Sequence, residues 1–217
     1  MKDFDHLVVV LDDDPSILTG LERLLTSSGY RVRLHQDPDS FFEAGPPTVP
    51  TCLLLDNQLQ AKMSGIEVHA EIVRLGWTLP TVFLTAHWSV QTVVNAIRTG
   101  ADGFLTKPYD AAGLLKAVAE ALQRAVTAHQ QHQLLIDART RVATLTQRER
   151  DIVCKILAGK INKEISDELG VALVTVKVHR GRAVAKLGAG NSAELVRIAQ
   201  LAGLAPDPGT EDDQTAD

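Results

Sequence analysis

The sequence predicts a protein of two domains, a doubly wound α/β domain with a parallel sheet and then an all-α domain of four helices. The first observation is length, because 217 residues suit two domains when domains commonly have about 100 to 150 residues each. The second is an alternation of short β-branched or leucine-rich runs with amphipathic segments, which is typical of βα units. The third is a wholly helical pattern after Asp110.

Five short apolar runs predict the strands of the first domain, residues 1–122. These runs are Leu7–Leu11, Tyr30–Leu34, Cys52–Leu55, Thr81–Leu84 and Gly103–Leu105. Pro15 stands at the first position of the helix that follows the first run, with Asp14 as its N-cap, and Gly29 ends that helix. A further helix is predicted from about Val90 to Gly100. Five strands and five helices fit this length.

A long, partly exposed helix is predicted between the two domains. Residues 123–144 grow more polar and contain neither Pro nor Gly, so we assign them to a helical linker. The second domain, residues 145–204, opens with a capping-box pattern in which Glu149 follows Thr146 by three positions. Residues 205–217 form an acidic tail rich in Pro, Gly, Asp and Thr, which we expect to be disordered.

Glycines divide the second domain into four short helices that share one apolar core. The first three end near Gly159, Gly170 and Gly188, and Asn191 opens the last. A helix, a tight turn at Gly170 and a second helix together make a helix-turn-helix. The expected core residues are Ile152, Val153, Ile156, Ile165, Leu169, Val176, Val184, Leu187, Leu195 and Ile198.

Composition excludes several classes of protein. The longest apolar runs, such as Leu7–Leu11, are far below the roughly 20 residues that span a bilayer, so we expect no membrane partner. The N-terminus lacks the pattern of a secretory signal, which predicts a cytoplasmic protein. Cys52 and Cys154 are too few for a disulfide framework and have no metal-ligand spacing, so both are expected in the core.

The net charge of −5 conceals a division along the chain. Residues 1–125 carry 10 basic against 15 acidic side chains, residues 126–204 carry 12 against 7, and residues 205–217 carry none against 5. Only the second domain is therefore net basic, at +5. This distribution indicates that the second domain alone approaches a polyanion.

Polar side chains gather at the predicted carboxyl ends of the strands, where chemistry collects in an open parallel sheet. Asp12 and Asp13 follow the first strand, Asp56 ends the third, Thr85 ends the fourth, and Lys107 follows the fifth. Three carboxylates within about 5 Å of one another repel by roughly 3 kcal/mol per pair at an effective dielectric constant of 20. A bound Mg²⁺ would remove that cost, since it prefers oxygen ligands.

Four segments around these residues, VVVLDDDPS, CLLLDNQ, VFLTAH and FLTKPYD, resemble the receiver domain of bacterial response regulators. The resemblance covers residues 6 to about 122 and implies a flavodoxin-like sheet in the order 2-1-3-4-5. It implies that Asp56 accepts a phosphoryl group from a phosphohistidine of a partner kinase. It also implies that Asp12, Asp13, Asp56 and the main-chain carbonyl of Gln58 hold Mg²⁺ or Mn²⁺.

The same resemblance assigns roles to the remaining residues of the pocket. Thr85 would donate its hydroxyl to a phosphoryl oxygen, and Lys107 would pair with the phosphate. Thr85 and Phe104 would form the switch, in which the aromatic ring turns inward as the threonine moves toward the phosphate. The bond between Lys107 and Pro108 would be cis, which is accessible before proline.

The loop after Asp56 departs from the family pattern. Receivers of this type usually have proline four residues after the acceptor and glycine eight residues after it. Here Gln60 stands at the proline position and Gly65 is nine residues from Asp56. The loop is one residue longer, and we expect this to affect the lifetime of the phosphorylated state while leaving the chemical groups intact.

The second domain resembles the LuxR-type output domain of the NarL/FixJ family through LTQRERDIV, NKEISDELGV and TVKVHR. The resemblance covers residues 145–204 and implies that Val174–Leu187 is the recognition helix in the major groove of DNA. It places Lys177 and Val178 at base edges. It places four further side chains near phosphates: Thr175, His179, Arg180 and Arg182. Gly181 is unusual inside such a helix, where it costs about 1 kcal/mol relative to alanine.

Together the two resemblances predict a two-component response regulator that is not an enzyme beyond its own phosphotransfer and dephosphorylation. Its expected partners are a cognate sensor histidine kinase and double-stranded DNA with an inverted repeat. On phosphorylation it is also expected to form a dimer with a second copy of itself, through the fourth and fifth receiver helices. One alternative is a regulator that uses no phosphate, which the long loop favours. Another is a Mg²⁺-dependent phosphotransferase or phosphatase, which leaves residues 145–204 unexplained.

Overall fold

The computed structural model of the chain describes residues 6–60, 63–86 and 100–207. The chain divides into two compact units, Met1–Gln130 and Gln131–Asp217. The boundary between them falls inside residues 123–144, the segment predicted as a linker. The helix predicted from about Val90 lies mostly in residues 87–99, outside the described residues, as does most of the predicted tail.

The first unit contains a parallel sheet of five strands, as predicted. The strands are β1 (Leu7–Leu11), β2 (Arg31–His35), β3 (Thr51–Asp56), β4 (Thr81–Thr85) and β5 (Gly103–Thr106). Their spatial order is β2-β1-β3-β4-β5, which confirms the order that the receiver resemblance implied. In the register of the sheet, Leu11 pairs with Leu55 and Asp56 pairs with Leu84. The carboxyl ends of β1, β3 and β4 therefore lie side by side.

Capping residues fix where the helices of the first unit begin. Among the described residues, the helices that begin in this unit are α1 (Pro15–Ser27), α2 (Pro38–Glu43), α3 (Gly65–Arg74) and α4 (Ala111–Ala143), and α4 continues past the boundary at Gln130. Asp14 caps α1, as predicted, by accepting a hydrogen bond from the Ser16 N–H at 2.8 Å. Ser64 and Glu67 form a capping box at α3. These caps satisfy N–H groups that a helix start leaves without partners.

Apolar residues cover both faces of the sheet, which explains why β1, β3 and β4 are buried throughout their length. Alternate residues of a strand point to opposite faces. Val8, Val10 and Leu54 face one core, which α1 and α4 complete, and Val9 and Leu53 face the other, which α2 and α3 complete. Because apolar cores cover both faces of the sheet, its carboxyl edge is the part that is left for polar groups.

The long connecting helix predicted after the sheet is α4, 33 residues in length. Leu114 and Val118 near its start pack in the core of the first unit, and Ala138 and Val142 near its end pack in the core of the second. Between them, residues 126–137 contain no buried side chain. Among the helices in the described ranges, none has the length and apolar character needed to span a membrane.

The second unit has the predicted all-α architecture. After the end of α4 come α5 (Gln147–Leu157), α6 (Asn162–Leu169), α7 (Leu173–Leu187) and α8 (Ser192–Leu201). The capping box of Thr146 and Glu149 is present at α5, and Gly170 ends α6 with a positive φ of 62°. Of the ten predicted core residues, eight are buried, and Leu169 and Val184 pack against them partly buried.

The prediction that both cysteines are core residues is wrong for one of them. Cys52 in β3 is buried, and burial raises the pKa of its thiol to about 12. Cys154 in α5 is only partly buried. Its neighbours Ile152 and Val153 occupy the core-facing positions of the helix, so Cys154 lies on the side of the helix instead.

Candidate functional site

Three carboxylates meet at the carboxyl edge of the sheet. Asp12 and Asp13 follow β1, and Asp56 is the last residue of β3. One carboxylate oxygen of each lies within 4.8 Å of the other two. Asp12 and Asp56 are buried and Asp13 is partly buried, so water screens their mutual repulsion poorly. This is the acidic cluster that the sequence predicted at the carboxyl ends of the strands.

Lys107 supplies a positive charge to this cluster. Its Nζ lies 2.8 Å from Oδ2 of Asp12 and 3.3 Å from Oδ2 of Asp56. The bond between Lys107 and Pro108 is cis, as the resemblance implied. The Lys107 main-chain N–H also donates to the Thr85 carbonyl at 2.7 Å. The end of β4 therefore positions the lysine backbone.

Burial and charge shift the titration of the central groups. Burial raises the pKa of Asp56, the negative charge of Asp12 raises it further, and Lys107 opposes both. For Lys107, burial acts to lower the pKa, but the hydrogen bond to Asp12 and the charge of Asp56 outweigh it, and the pKa is raised. One ammonium group against three carboxylates leaves the cluster with an excess of negative charge.

The donor set of the pocket fits a hard divalent cation. Three carboxylates offer only oxygen ligands, which Mg²⁺ and Mn²⁺ prefer, and a divalent charge would balance the excess. Gln58, whose carbonyl was predicted as a ligand, follows Asp56 by two residues, and its N–H lies 3.4 Å from Oδ1 of that residue. The backbone of Gln58 therefore lies beside the Asp56 carboxylate.

The lengthened loop is tied to the pocket at both ends. At one end, the Gln60 N–H donates to Oδ2 of Asp13 at 3.1 Å, and residues 61–62 lie outside the described ranges. At the other end, the Gly65 N–H donates to the Asn57 carbonyl at 3.2 Å. A Cβ at position 65 would overlap the carbonyl oxygen of Asp56. Glycine is required there because α3 starts against the backbone of Asp56.

The two predicted switch residues lie on β4 and β5. Thr85 ends β4, one residue after Leu84, which pairs with Asp56, and it is fully buried. Phe104 in β5 is partly buried, and its ring centroid lies 6.2 Å from that of Phe83. Thr85 therefore lies on the strand next to that of Asp56, and Phe104 packs at the margin of the core formed with α2 and α3.

The predicted DNA-binding residues divide into two groups by their surroundings on α7. Lys177, Val178 and Arg182 are exposed, whereas Thr175 and His179 are partly buried. Nδ1 of His179 is buried and has no hydrogen-bond partner among the described residues. The exposed group can reach a ligand without any rearrangement of α7.

Arg180 is engaged within the domain. Its Nη1 donates to Oδ1 of Asn162, the first residue of α6, at 2.6 Å, and its Nη2 donates to Oγ of Ser192, the first residue of α8, at 2.7 Å. The guanidinium group thus connects α7 to the starts of two neighbouring helices. Sequence reasoning did not find these partners, because neither is within 10 positions of Arg180 in the chain.

A basic groove of about 730 Å³ lies between the helices of the second unit. Four of its lining side chains are cationic, and none is a carboxylate. The cations are Lys160, Lys163, Lys177 and Arg180. Lys163 and Lys177 are exposed there and could attract a polyanion, whereas Lys160 pairs with Glu168 at 2.9 Å and Arg180 is engaged by Asn162 and Ser192.

Two family models match the chain in succession. Residues 8–119 match the response regulator receiver domain, and residues 143–199 match the bacterial regulatory proteins of the luxR family. The first match includes the acidic cluster and Lys107. The second includes all of α5, α6 and α7 and most of α8.

Relatives and a solved structure match nearly the whole chain. The transcriptional regulatory protein FixJ of Azorhizobium caulinodans is 36% identical over 92% of this chain and 94% of its own. The transcriptional regulatory protein TdiR of Thauera aromatica is 36% identical over 88% of this chain and 84% of its own. The solved structure of the response regulator StyR is 35% identical with a TM-score of 0.80, covering 90% of this chain and 98% of its own.

Proposed function

The chain belongs to the response regulators of the FixJ type, with a receiver domain and a LuxR-type DNA-binding domain, and on this basis we propose how it works. Asp56 accepts a phosphoryl group from a sensor histidine kinase, and phosphorylation promotes a dimer that regulates transcription from an inverted-repeat site. The observation that carries this proposal is the meeting of Asp12, Asp13, Asp56 and Lys107 at one edge of the sheet.

The proposed reaction is a nucleophilic transfer. A carboxylate oxygen of Asp56 attacks the phosphorus of the phosphohistidine, an O–P bond forms, and the N–P bond breaks with its electron pair leaving on the imidazole. Asp12, Asp13, Asp56 and the main-chain carbonyl of Gln58 would hold Mg²⁺ or Mn²⁺. A divalent cation held by these residues would supply positive charge that favours the ionised form of Asp56, against the effect of burial, and that offsets the negative charge of the phosphoryl group.

The remaining residues would detect the new phosphate. The Nζ of Lys107, 3.3 Å from Asp56 before the transfer, would pair with a phosphoryl oxygen. The Thr85 hydroxyl would donate to another, and Phe104 would turn inward as Thr85 moved. An equilibrium shifted from about 1% to 99% active needs roughly 5.5 kcal/mol of preference for the active state, which phosphate and dimer contacts can share.

In the second domain, α7 is the proposed recognition helix, with Lys177 and Val178 at base edges. Arg182 and Thr175 would lie near phosphates, and so would His179 if its ring turned outward. The hydrogen bonds of Arg180 to α6 and α8 favour a positioning role for that residue over phosphate contact. The proposed dimer face combines α4 with the helix predicted from about Val90 to Gly100, which lies mostly outside the described residues.

Phosphorylation of the full chain tests the proposal directly. With Mg²⁺ and a small acyl phosphate donor, we expect a single acid-stable, base-labile phosphoryl group, measured by intact mass, because Asp56, 3.3 Å from Lys107, is the one carboxylate of the cluster to which the receiver resemblance assigns the acceptor role. Asp56→Asn should abolish it, and chelation of the metal should prevent it. Asp39→Asn, on the exposed surface of α2, is the matched control and should be phosphorylated normally.

Two results would contradict this assignment of the pocket. One is equal incorporation by Asp56→Asn, which would place the acceptor elsewhere. The other is unchanged incorporation without a divalent cation. Regulation of DNA binding that persists unaltered in Asp56→Asn would instead support the regulator that uses no phosphate.

A further inference from the structure

The side of α7 that faces away from the core carries an apolar ridge. A helix turns through about 100° per residue, so residues spaced by four, three and four positions line up on one side. The ridge consists of Val174, Val178, Gly181 and Ala185, all of them exposed. The buried residues of the helix, on its opposite side, are Val176, Ala183 and Leu187. No side chain of the ridge can donate or accept a hydrogen bond.

Both valines of the ridge are exposed, and Val174 is the more exposed of the two. Val174 is 66% exposed, the highest fraction among the large apolar side chains of the described residues, and Val178 is 46% exposed. Basic residues flank them, with Lys177 on one side of the ridge and Arg182 on the other. The surface that would lie deepest in a DNA groove is therefore apolar, and the groups that attract phosphates stand beside it.

The chemistry of the major groove offers one partner for such a ridge. Each base pair presents hydrogen-bond donors and acceptors there, and only thymine adds an apolar group, its C5 methyl. A valine pressed against a donor or acceptor would remove its water without replacing the hydrogen bond, which is unfavourable. A valine against a thymine methyl buries apolar surface on both partners.

From this surface, and resting on the proposed function, we infer that Val174 is a specificity-determining residue that reads a thymine methyl group in the major groove. It acts beside Val178, which lies one helical turn away on the same ridge. The two valines would contact methyl groups of neighbouring thymines. Lys177 would supply the polar contact at the margin of the same site.

Gly181 allows the ridge to approach the bases closely. A Cβ added at this position would meet no atom within 4 Å, so nothing inside the domain requires glycine there. Its φ is not in the left-handed region either. The absence of a side chain at the third position of the ridge lets the backbone of α7 lie nearer to the floor of the groove, which brings Val178 and Val174 within contact of methyl groups.

Replacement of thymine by deoxyuridine, which removes only the methyl group, tests the inference. The full chain, with Mg²⁺ and a small acyl phosphate donor, first selects duplexes from a random pool. The most enriched duplex is then remade with each thymine replaced in turn, and affinities are measured. We expect one or two positions in each half-site where the replacement weakens binding about fourfold, the effect of burying one methyl group.

Variants then assign each methyl group to a side chain. Val174→Ala should lose the sensitivity at one position and keep it elsewhere, and Val178→Ala should lose it at the neighbouring position. Val174→Thr, which keeps one methyl, should retain part of the effect. Val73→Ala is the matched control, since Val73 on α3 is 53% exposed and distant in sequence from α7. Circular dichroism confirms that each variant is folded.

The possible failures are distinguishable. Sequence-specific binding that is indifferent to every deoxyuridine replacement overturns the inference and leaves the proposed function intact. Full methyl sensitivity in Val174→Ala overturns the role of Val174. Enrichment of no duplex at all contradicts the proposed function, and the inference falls with it.

Discussion

Two arginines on α7 that look equivalent in the sequence differ in the structure. Arg182 is exposed, whereas Arg180 donates hydrogen bonds to Asn162 and Ser192. Both were expected near phosphates, because an arginine on a recognition helix usually serves that purpose. The geometry of Arg180 instead suits a residue that fixes the direction of α7 relative to α6 and α8.

The salt dependence of DNA binding separates these two roles. Removal of one side chain that binds a phosphate flattens the log–log salt dependence of affinity by about 0.9. Arg182→Ala should show this change and weaken all sequences alike. Arg180→Ala should leave the slope unchanged and weaken selected duplexes more than random ones, an effect that Asn162→Ala combined with Ser192→Ala should reproduce. Equal flattening in Arg180→Ala and Arg182→Ala would assign Arg180 to a phosphate.

The sequence predicted the chemical groups of the pocket but not all the residues that shape it. Asp12, Asp13, Asp56 and Lys107 were found because strand ends are readable from apolar runs. Gly65 was singled out only through the family pattern, and the steric need for glycine there was not predicted, because it depends on the distance between the start of α3 and the backbone of Asp56. Such a close approach has no signature in composition or periodicity.

Between elements, an ion pair links the start of α5 to the end of α7. Glu149 completes the capping box of α5, and Nζ of Lys186 lies 2.6 Å from its Oε2. The hydrogen bond from Lys186 is the largest cause that lowers the pKa of Glu149 to about 2, and the Thr146 N–H adds to it. The capping box was predictable from local spacing, but the lysine, 37 residues away in the chain, was not.

This pair makes the stability of the second domain sensitive to acid. The folded pKa of Glu149 is below its ordinary value of 4.5, so its contribution is complete above about pH 4.5 and is lost as the pH falls toward 2. Glu149→Gln should reduce the free energy of unfolding by about 1 to 2 kcal/mol at neutral pH. The deficit should shrink in acid, as measured by urea denaturation followed by circular dichroism between pH 7 and 3.

A suitable control is Glu22→Gln, on the exposed surface of α1 in the first unit. It should behave like the wild type at every pH. A Glu149→Gln deficit that stays constant down to pH 3 would show that ionisation of Glu149 does not contribute to the stability of the domain.

For the whole molecule, the proposed dimer constrains the DNA that it binds. Two recognition helices in the major groove on one side of a duplex require half-sites about one helical turn apart, roughly 34 Å. Insertion of about five base pairs between the half-sites, half of that turn, moves one of them to the opposite side and should reduce affinity to that of a single half-site. As the control, insertion of a full turn should restore part of the lost affinity. Gel-shift titrations of the phosphorylated chain measure the affinity for both duplexes.

Equal affinity for the two spacings would contradict a dimer with two rigidly related recognition helices. Binding of one protein molecule per duplex at all concentrations would contradict it as well. The charge division along the chain agrees with DNA contact through the second domain alone, since residues 126–204 carry the net positive charge.

The division into two units and the class of each were predictable from sequence, because periodicity changes where the sheet ends. The course of the connecting segment was only partly predictable. The end of the helical linker, predicted at residue 144, lies one residue from the end of α4 at Ala143, because the capping box at Thr146 marks where the next helix starts. The packing of Ala138 and Val142 in the second core was not predicted, because it depends on contacts with residues distant in the chain.

The open space at Gly181 makes this protein a suitable scaffold for altering DNA specificity. Position 181 is exposed on the apolar ridge, and a new side chain there would meet no atom of the domain. Any residue other than proline should also favour the helix over glycine, by up to about 1 kcal/mol. An arginine or asparagine at this position would hold the ridge away from the thymine methyl groups and would replace their recognition with bidentate recognition of guanine or adenine. A regulator with a new target site could thus be engineered by one substitution that the fold already accommodates.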